Sequence, residues 1–203
     1  MQMGFYFNAD LCIGCKACVM ACKDLHDSPL GISFRRVYQV VWGKWIGEGN
    51  VRTPVGVGSY SLSLACAHCE RPACLAACPK GAIQKRETGA VWIDYSRCVA
   101  CRICIRACPY GAIDFNRRAH RPEKCDFCWE QQEKGEAPAC AASCPMRCLS
   151  VRPLPELIRL AETDPYVSRM EDEGTSPAVF IRQSRNRPPD GEAGTIRSMK
   201  EER

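Results

Sequence analysis

Sixteen of the seventeen cysteines in this 203-residue chain fall into four groups of four. The first is Cys12, Cys15, Cys18 and Cys22. The second is Cys66, Cys69, Cys74 and Cys78. The third is Cys98, Cys101, Cys104 and Cys108, and the fourth is Cys125, Cys128, Cys140 and Cys144. Every group opens with C-x2-C and closes with C-x3-C. Pro79, Pro109 and Pro145 follow three of them, and Lys23 follows the first. A chain this dense in regularly spaced thiols must fold around whatever those thiols bind.

Three chemistries use such cysteines. A disulfide framework suits short secreted chains. Here the total is odd, and cysteines three residues apart are poorly placed to bond each other. Structural zinc takes two C-x2-C pairs. It has no use for triplets that crowd three thiolates onto one loop, nor for a remote fourth cysteine before proline. The run C-x2-C-x2-C-x3-C-P is the bacterial ferredoxin spacing for cubane iron–sulfur clusters, and Cys98 to Pro109 matches it residue for residue. A tight loop lets three thiolates meet three irons of one cube. The fourth cysteine lies on the next turn and faces a neighbouring cube, and the proline redirects the chain.

An internal repeat sets the pairing. Cys78-Pro79-Lys80-Gly81-Ala82-Ile83 is echoed by Cys108-Pro109-Tyr110-Gly111-Ala112-Ile113. In a two-cluster ferredoxin the fourth ligand crosses over. Cys66, Cys69, Cys74 and Cys108 are therefore expected to hold one [4Fe-4S] cluster, and Cys98, Cys101, Cys104 and Cys78 another. By the same logic Cys12, Cys15, Cys18 and Cys144 hold a third, and Cys125, Cys128, Cys140 and Cys22 a fourth. The expected fold class is α+β: two nested bacterial-type 2[4Fe-4S] ferredoxin-like units with an inserted β-hairpin and a C-terminal extension. The outer unit takes residues 1–27 and 116–150, the hairpin 28–60, the inner unit 61–115. A helix, strand and extended tail fill 151–203.

Within those spans, Phe34 to Trp42 and Tyr60 to Leu64 are rich in β-formers and predict strands, with a Gly-rich loop from Trp45 to Ser59. The insertion Trp129 to Ala139 predicts a surface loop. Ala90–Asp94 and Ala178–Arg182 predict strands, and Pro155 to Ala161 a helix. From Gln183 the composition turns to a tail, disordered or wrapped on a partner. His68 sits inside a ligand loop whose cysteine count is already complete, so it is expected to be a satisfied or solvated side chain. Cys148 is expected to be a buried apolar thiol. Arg102 and Arg106 lie between third-group ligands, as solvated side chains or as tuners of cluster potential. Trp42, Trp45, Trp92 and Trp129 are expected to pack around the clusters.

Charge excludes other classes. The formal net charge is +5, with no basic stripe interleaved with aromatics, so no nucleic-acid partner is expected. Sixteen thiolates and four oxidised cubes would bring the loaded chain to about −3, so the basic excess partly compensates the clusters. The longest uncharged stretch, Thr53 to Cys69, is broken by Pro54, Gly56 and Gly58 and is shorter than the ~20 apolar residues of a membrane span. The start Met1-Gln2-Met3-Gly4-Phe5 lacks the charged and apolar regions of a signal peptide. No Ser-His-Asp pattern, phosphate loop or dinucleotide fingerprint is present, so no catalytic residue is assigned.

Taken together, the motifs resemble the iron–sulfur subunits of the dimethyl sulfoxide reductase family of molybdopterin oxidoreductases. The resemblance rests on Cys12-Ile13-Gly14-Cys15-Lys16-Ala17-Cys18, Ser33-Phe34-Arg35-Arg36-Val37-Tyr38 and Cys66-Ala67-His68-Cys69-Glu70-Arg71-Pro72-Ala73-Cys74, with the insertion of group four. It covers about residues 4–155, with an echo at Ala178–Arg187. It implies an electron-transfer subunit without a catalytic site, joining a molybdopterin catalytic subunit to an integral membrane anchor that handles quinol. It implies that the Cys12 set lies nearest the catalytic subunit and the Cys98 set nearest the anchor. Some relatives replace the second cysteine of group three and carry a three-iron cluster. Here Cys101 is present. The resemblance also implies location at the membrane through partners, on the periplasmic face by co-export or in the cytoplasm. Beta subunits of polysulfide, thiosulfate or tetrathionate reductases or of formate dehydrogenase are alternatives, as are a free-standing soluble polyferredoxin and a zinc-stabilised interaction module.

Thiolates this dense cannot be buried without metal, so metal binding and folding are coupled. Removing iron with a chelator is expected to unfold the chain. Circular dichroism that is unchanged after chelation would refute this.

Overall fold

The computed structural model describes residues 1–47, 52–188 and 194–197. Short helices and short strands alternate, as expected for an α+β chain organised by loops. The longest strands are the two of one hairpin, and the longest helices, of nine and ten residues, lie near the N-terminus and in the C-terminal region.

The first strand, β1 (Met3–Asn8), is central to a four-stranded sheet ordered β8-β1-β10-β9. Its partners are β8 (Leu149–Pro153), antiparallel, and β10 (Val179–Arg182), parallel. Strand β9 (Val167–Arg169) completes the other edge. Phe5 and Phe7 alternate onto one face and are buried there. Between β8 and β9 runs α6 (Leu154–Thr163), with Pro155 in its first turn, where a missing N–H costs nothing. Leu154 and Leu157 are its buried residues. They pack with Val167, Ala178 and Phe180 in a small core. Gly4 is the close-approach point: a β-carbon there would stand 2.7 Å from the Ala178 carbonyl oxygen and 3.0 Å from Leu157. The strand that this N-terminal run forms is not among the expected elements.

The repeat appears as two matching units. In the first, α2 (Ala73–Ala76) precedes the hairpin β4 (Ile83–Lys85) and β5 (Val91–Ile93). In the second, α3 (Ile103–Ala107) precedes β6 (Ile113–Asn116) and β7 (Arg121–Lys124). Ile83, Val91, Ile93 and Ile113 share a core with Cys74 and Cys104, so the thiols are themselves core residues. The remaining helices are α1 (Ala17–Leu25), α4 (Trp129–Glu133) and α5 (Ala139–Ala142), and α1 lies against α5.

Three expectations are corrected. The strand expected at Phe34 to Trp42 runs as β2 (Arg35–Ile46). Its partner β3 (Thr53–Ala65) absorbs the second part of the Gly-rich stretch expected as loop from Trp45 to Ser59, and β2 its first two residues; residues 48–51 of that stretch lie outside the described ones. Glycine is depleted in strands, which hides the ladder in the sequence. The long partner strand supplies the pairing, and a bulge at Gly43 (φ +114°) lets Val57 approach where a β-carbon would stand 2.5 Å away. Second, Trp129 to Ala139 is not all loop, since it begins with α4. Third, the tail from Gln183 folds back on its own chain where it is described. Arg185 bonds Asp10, its N–H at 2.7 Å and its Nε at 2.6 Å, and β11 (Thr195–Arg197) adds to β2 in the order β11-β2-β3.

Leu157 is fully buried and seals α6 against the sheet. Leu157→Ala is expected to cost about 2–5 kcal/mol, read from the urea midpoint of the iron-loaded chain. A midpoint unchanged within error would mean that α6 is not part of the cooperative unit.

Candidate metal centres

Each cysteine loop contains left-handed backbone that turns successive thiols to one side. Gly14 (φ +69°) and Lys16 (φ +62°) serve group one, and His68 (φ +43°) serves group two. Ala100 (φ +55°) and Arg102 (φ +63°) serve group three, and Phe127 (φ +72°) and Cys128 (φ +47°) serve group four. Lys16, Arg102 and Cys128 are also the residues from which α1, α3 and α4 start. Such a turn brings several N–H groups to one side, where they favour anions. In the repeat, the Ala82 N–H donates to Cys78 Sγ at 3.3 Å and the Ala112 N–H to Cys108 Sγ at 3.5 Å. The two copies thus use the same bond at the same position. The Phe127 N–H donates to Cys125 Sγ at 3.4 Å.

Thiols of different groups share a space. Cys66, Cys69, Cys74 and Cys108 line one hollow, with Pro72 and Pro109. Cys78, Cys98, Cys101 and Cys104 line another. On the outer side, Cys18 senses the charges of Cys140 and Cys12, and Cys22 those of Cys140 and Cys128. Cys125 senses Cys22. Cys144 Sγ lies 3.3 Å from Cys148 Sγ, and Cys148 also bonds Cys12. Cys15 is the exposed member of the first loop.

Burial opposes ionisation of most of these thiols. Cys22 and Cys74 are pushed up to about 12, chiefly by burial, and Cys128 to about 11. Burial also drives Cys125 well above its ordinary value. Cys78 goes the other way: burial raises it, but N–H groups from Ile83, Ala82, Lys80 and Gly81 outweigh that. Cys12 falls to about 6 because Cys148 donates to it, and Cys148 rises in turn. Cys148 is buried as expected, but it touches two ligand candidates, which an inert apolar filler would not do. A bound metal deprotonates a coordinating thiol outright and removes the opposition that burial creates.

The cations of the interior are invisible in the sequence. Arg35 enters there only as part of a motif, and nothing singles out Lys124. Both are fully buried. Burial itself would lower their pKa, yet the thiolates hold them above their ordinary values: Cys140, Cys125, Cys18 and Cys22 around Arg35, and Cys66, Cys125 and Cys74 around Lys124. Arg35 Nη1 donates to the carbonyl and hydroxyl oxygens of Ser63, each at 3.2 Å, and its guanidinium stacks over Phe5. Its Nε and Nη2 are buried without a hydrogen-bond partner. Two orphaned cationic donors among four sulfurs are the counterpart of a dense anion, so the site fits an iron–sulfur cluster. A buried cation beside cysteine gives no local sequence signal, because its partners lie far along the chain.

Other expectations divide. His68 is buried and satisfied rather than solvated: its Nδ1 accepts from the Val91 N–H at 3.0 Å. Burial first, then Lys124 and Arg35, hold its pKa well below the ordinary value. Arg102 stacks on Phe115 at 3.7 Å. Trp92 and Trp129 pack together around Arg86 as packing residues. Trp45 is 66% exposed on the hairpin and packs around no cysteine set, which corrects that assignment.

The fold and these sites define a ferredoxin-like iron–sulfur protein. The 4Fe-4S dicluster domain family matches residues 57–153, and a 4Fe-4S binding domain family matches residues 3–24. The B subunit of the anaerobic dimethyl sulfoxide reductase of Escherichia coli (strain K12) is 40% identical over 98% of both proteins. The thiosulfate reductase electron transfer subunit of Salmonella typhi is 32% identical over 90% of this chain and 92% of its own length. The B subunit of the polysulfide reductase of Wolinella succinogenes is 32% identical over 89% and 93%. The chain belongs to the family of dimethyl sulfoxide reductase iron–sulfur subunits.

Arg35→Leu is expected to lower the iron content of anaerobically prepared protein. Arg36→Leu is the control, because Arg36 is an outward partner of Asp114 and such pairs contribute about 1 kcal/mol at most. Equal iron in both variants would show that the buried cation is dispensable.

Proposed function

We propose that this chain carries four [4Fe-4S] clusters and relays single electrons between a quinol-handling membrane anchor and a molybdopterin catalytic subunit. The ligand sets are the crossed ones: Cys12, Cys15, Cys18 and Cys144; Cys125, Cys128, Cys140 and Cys22; Cys66, Cys69, Cys74 and Cys108; Cys98, Cys101, Cys104 and Cys78. The inner ferredoxin-like unit, residues 61–115, nests inside the outer one, residues 1–27 and 116–150. The hairpin is inserted between them, and residues 151–203 extend the C-terminus. One observation carries the reading: each of two hollows is lined by three cysteines of one group and the last cysteine of the other.

When bound, such clusters take up and release one electron at a time. The chain's own residues hold the sulfurs, exclude water and supply N–H donors to them. Exposure supports two open ends for the path, and the likeness to dimethyl sulfoxide reductase subunits supports which end meets which partner. Cys15 and Cys101 are the two exposed cysteines, and Cys125, Cys128, Cys140 and Cys22 are all buried. Exposed apolar side chains stand beside each open end: Ile13 and Met20 near Cys15, and Val99 near Cys101. Two accessible ends and a sealed middle suit a conductor between two partners. The Cys15 end is assigned to the catalytic subunit and the Cys101 end to the anchor.

No helix among the described residues is long and apolar enough to cross a membrane, which supports attachment through partners. We place the chain at the membrane by that route, on the periplasmic face by co-export with the catalytic subunit or on the cytoplasmic face. The greater identity to a dimethyl sulfoxide reductase subunit than to thiosulfate or polysulfide reductase subunits favours a partner of the first kind.

Anaerobically purified complex is expected to hold about sixteen irons and as many acid-labile sulfides per chain. Cys101→Ser is expected to alter one cluster and leave three by electron paramagnetic resonance. Loss of all four signals would contradict the separate sets.

A further inference from the structure

Two buried side chains join the Cys66 set and the Cys125 set, and each reaches from one set into the other. His68 belongs to the loop between Cys66 and Cys69, yet its Nε2 lies 3.5 Å from Sγ of Cys125. Its Nδ1 accepts from the Val91 N–H, so the ring is neutral and its single proton is on Nε2. The ring cannot turn away, because it stacks on Phe127 at 4.5 Å and only 22° between planes. Lys124 makes the reciprocal reach. It precedes Cys125 in sequence and feels its charge, but it lines the hollow of Cys66, Cys69, Cys74 and Cys108, and its ammonium bonds Cys66. It is fixed there by donating to the carbonyls of Val91 and Cys125. Val91 therefore anchors both members, through its N–H and its carbonyl.

We propose that His68 and Lys124 form a reciprocal brace of positioning residues that raises the reduction potentials of the two clusters on either side of this junction. The proposal rests on the ligand sets given above. Reduction adds a negative charge to a site already rich in thiolate. A proton donor on Cys125 and a cation on Cys66 both favour the more negative state, and neither is screened by water. The brace acts where the inner and outer units meet, so it governs the step at which an electron passes from one to the other. The Cys98 set is different. Among the charges acting on Cys104 are those of Cys98, Cys101 and Cys78, with no cation among its leading partners.

The test uses the full-length chain in its complex, purified anaerobically and titrated with reductant under electron paramagnetic resonance. His68→Phe keeps the stacked ring and removes the donor. Lys124→Met keeps the stem and removes the charge. His68→Phe is expected to shift the midpoint of the Cys125 set to lower potential, and Lys124→Met that of the Cys66 set most and of the Cys125 set less, with the other two clusters unmoved. Lys124→Arg is expected to restore the midpoints that Lys124→Met shifts. Midpoints unchanged at full iron content overturn the brace. So does loss of iron in Lys124→Met that Lys124→Arg fails to recover. Wild-type complex with far fewer than about sixteen irons would instead overturn the ligand sets, which separates the two failures.

Discussion

Negative charge on buried sulfur is the interaction on which this structure depends. A thiolate taken out of water loses its solvation, and the chain buries ten of its seventeen cysteines. The protein answers in three ways. Backbone N–H groups turn toward sulfur at left-handed loop residues. Two fully buried cations, Arg35 and Lys124, stand among thiolates that would otherwise repel one another. The largest share falls to metal, whose binding makes deprotonated sulfur the stable form. The same demand explains why the hydrophobic core is modest. Cys18, Cys140, Cys144 and Cys148 occupy core positions that leucine or valine would hold in an ordinary domain.

The proposed crossing of ligands between groups follows from chain direction. A C-x2-C-x2-C loop saturates one side of a site, and the helix that follows carries the fourth cysteine away from it. That cysteine can be used only if a second, similar unit is adjacent. The hairpins β4–β5 and β6–β7 supply this adjacency inside the repeat. Helices α1 and α5 supply it for the outer groups, with the Ser143 hydroxyl reaching toward the Ala17 carbonyl. The four-stranded sheet then joins the N-terminal strand to β8, a few residues beyond Cys144, and so ties the outer groups together. Membership of the dimethyl sulfoxide reductase subunit family agrees with this plan: the task of such a subunit is to hold redox groups in order, and holding is what nearly every element here does.

Much of the site is legible in the sequence and less of the scaffold. Cysteine spacing is short-range chemistry, so the groups and the inner crossing can be taken from the repeat Cys78–Ile83 and Cys108–Ile113. Helix α6 and strand β10 carry ordinary periodic signals and lie close to their expected ranges. Strand β1 escapes such reading because a run of glycine and aromatics so near the terminus has no turn signals around it. Strand β3 escapes it because Val-Gly alternation resembles a loop until a partner is present. His68 is recognisable as a satisfied residue, but nothing near it in sequence reveals that its partner is Cys125, 57 residues away.

The sequence by itself determined which atoms the chain offers to metal, in what local groups, and which family it belongs to, because ligand spacing is set within a few residues and survives any packing. Only the tertiary structure decided that Arg35 and Lys124 are sealed among sulfurs while Arg36 is not, and that Cys15 and Cys101 stay open to the surface. Those outcomes depend on contacts between residues tens of positions apart, where burial and charge act through space and leave no trace in local pattern.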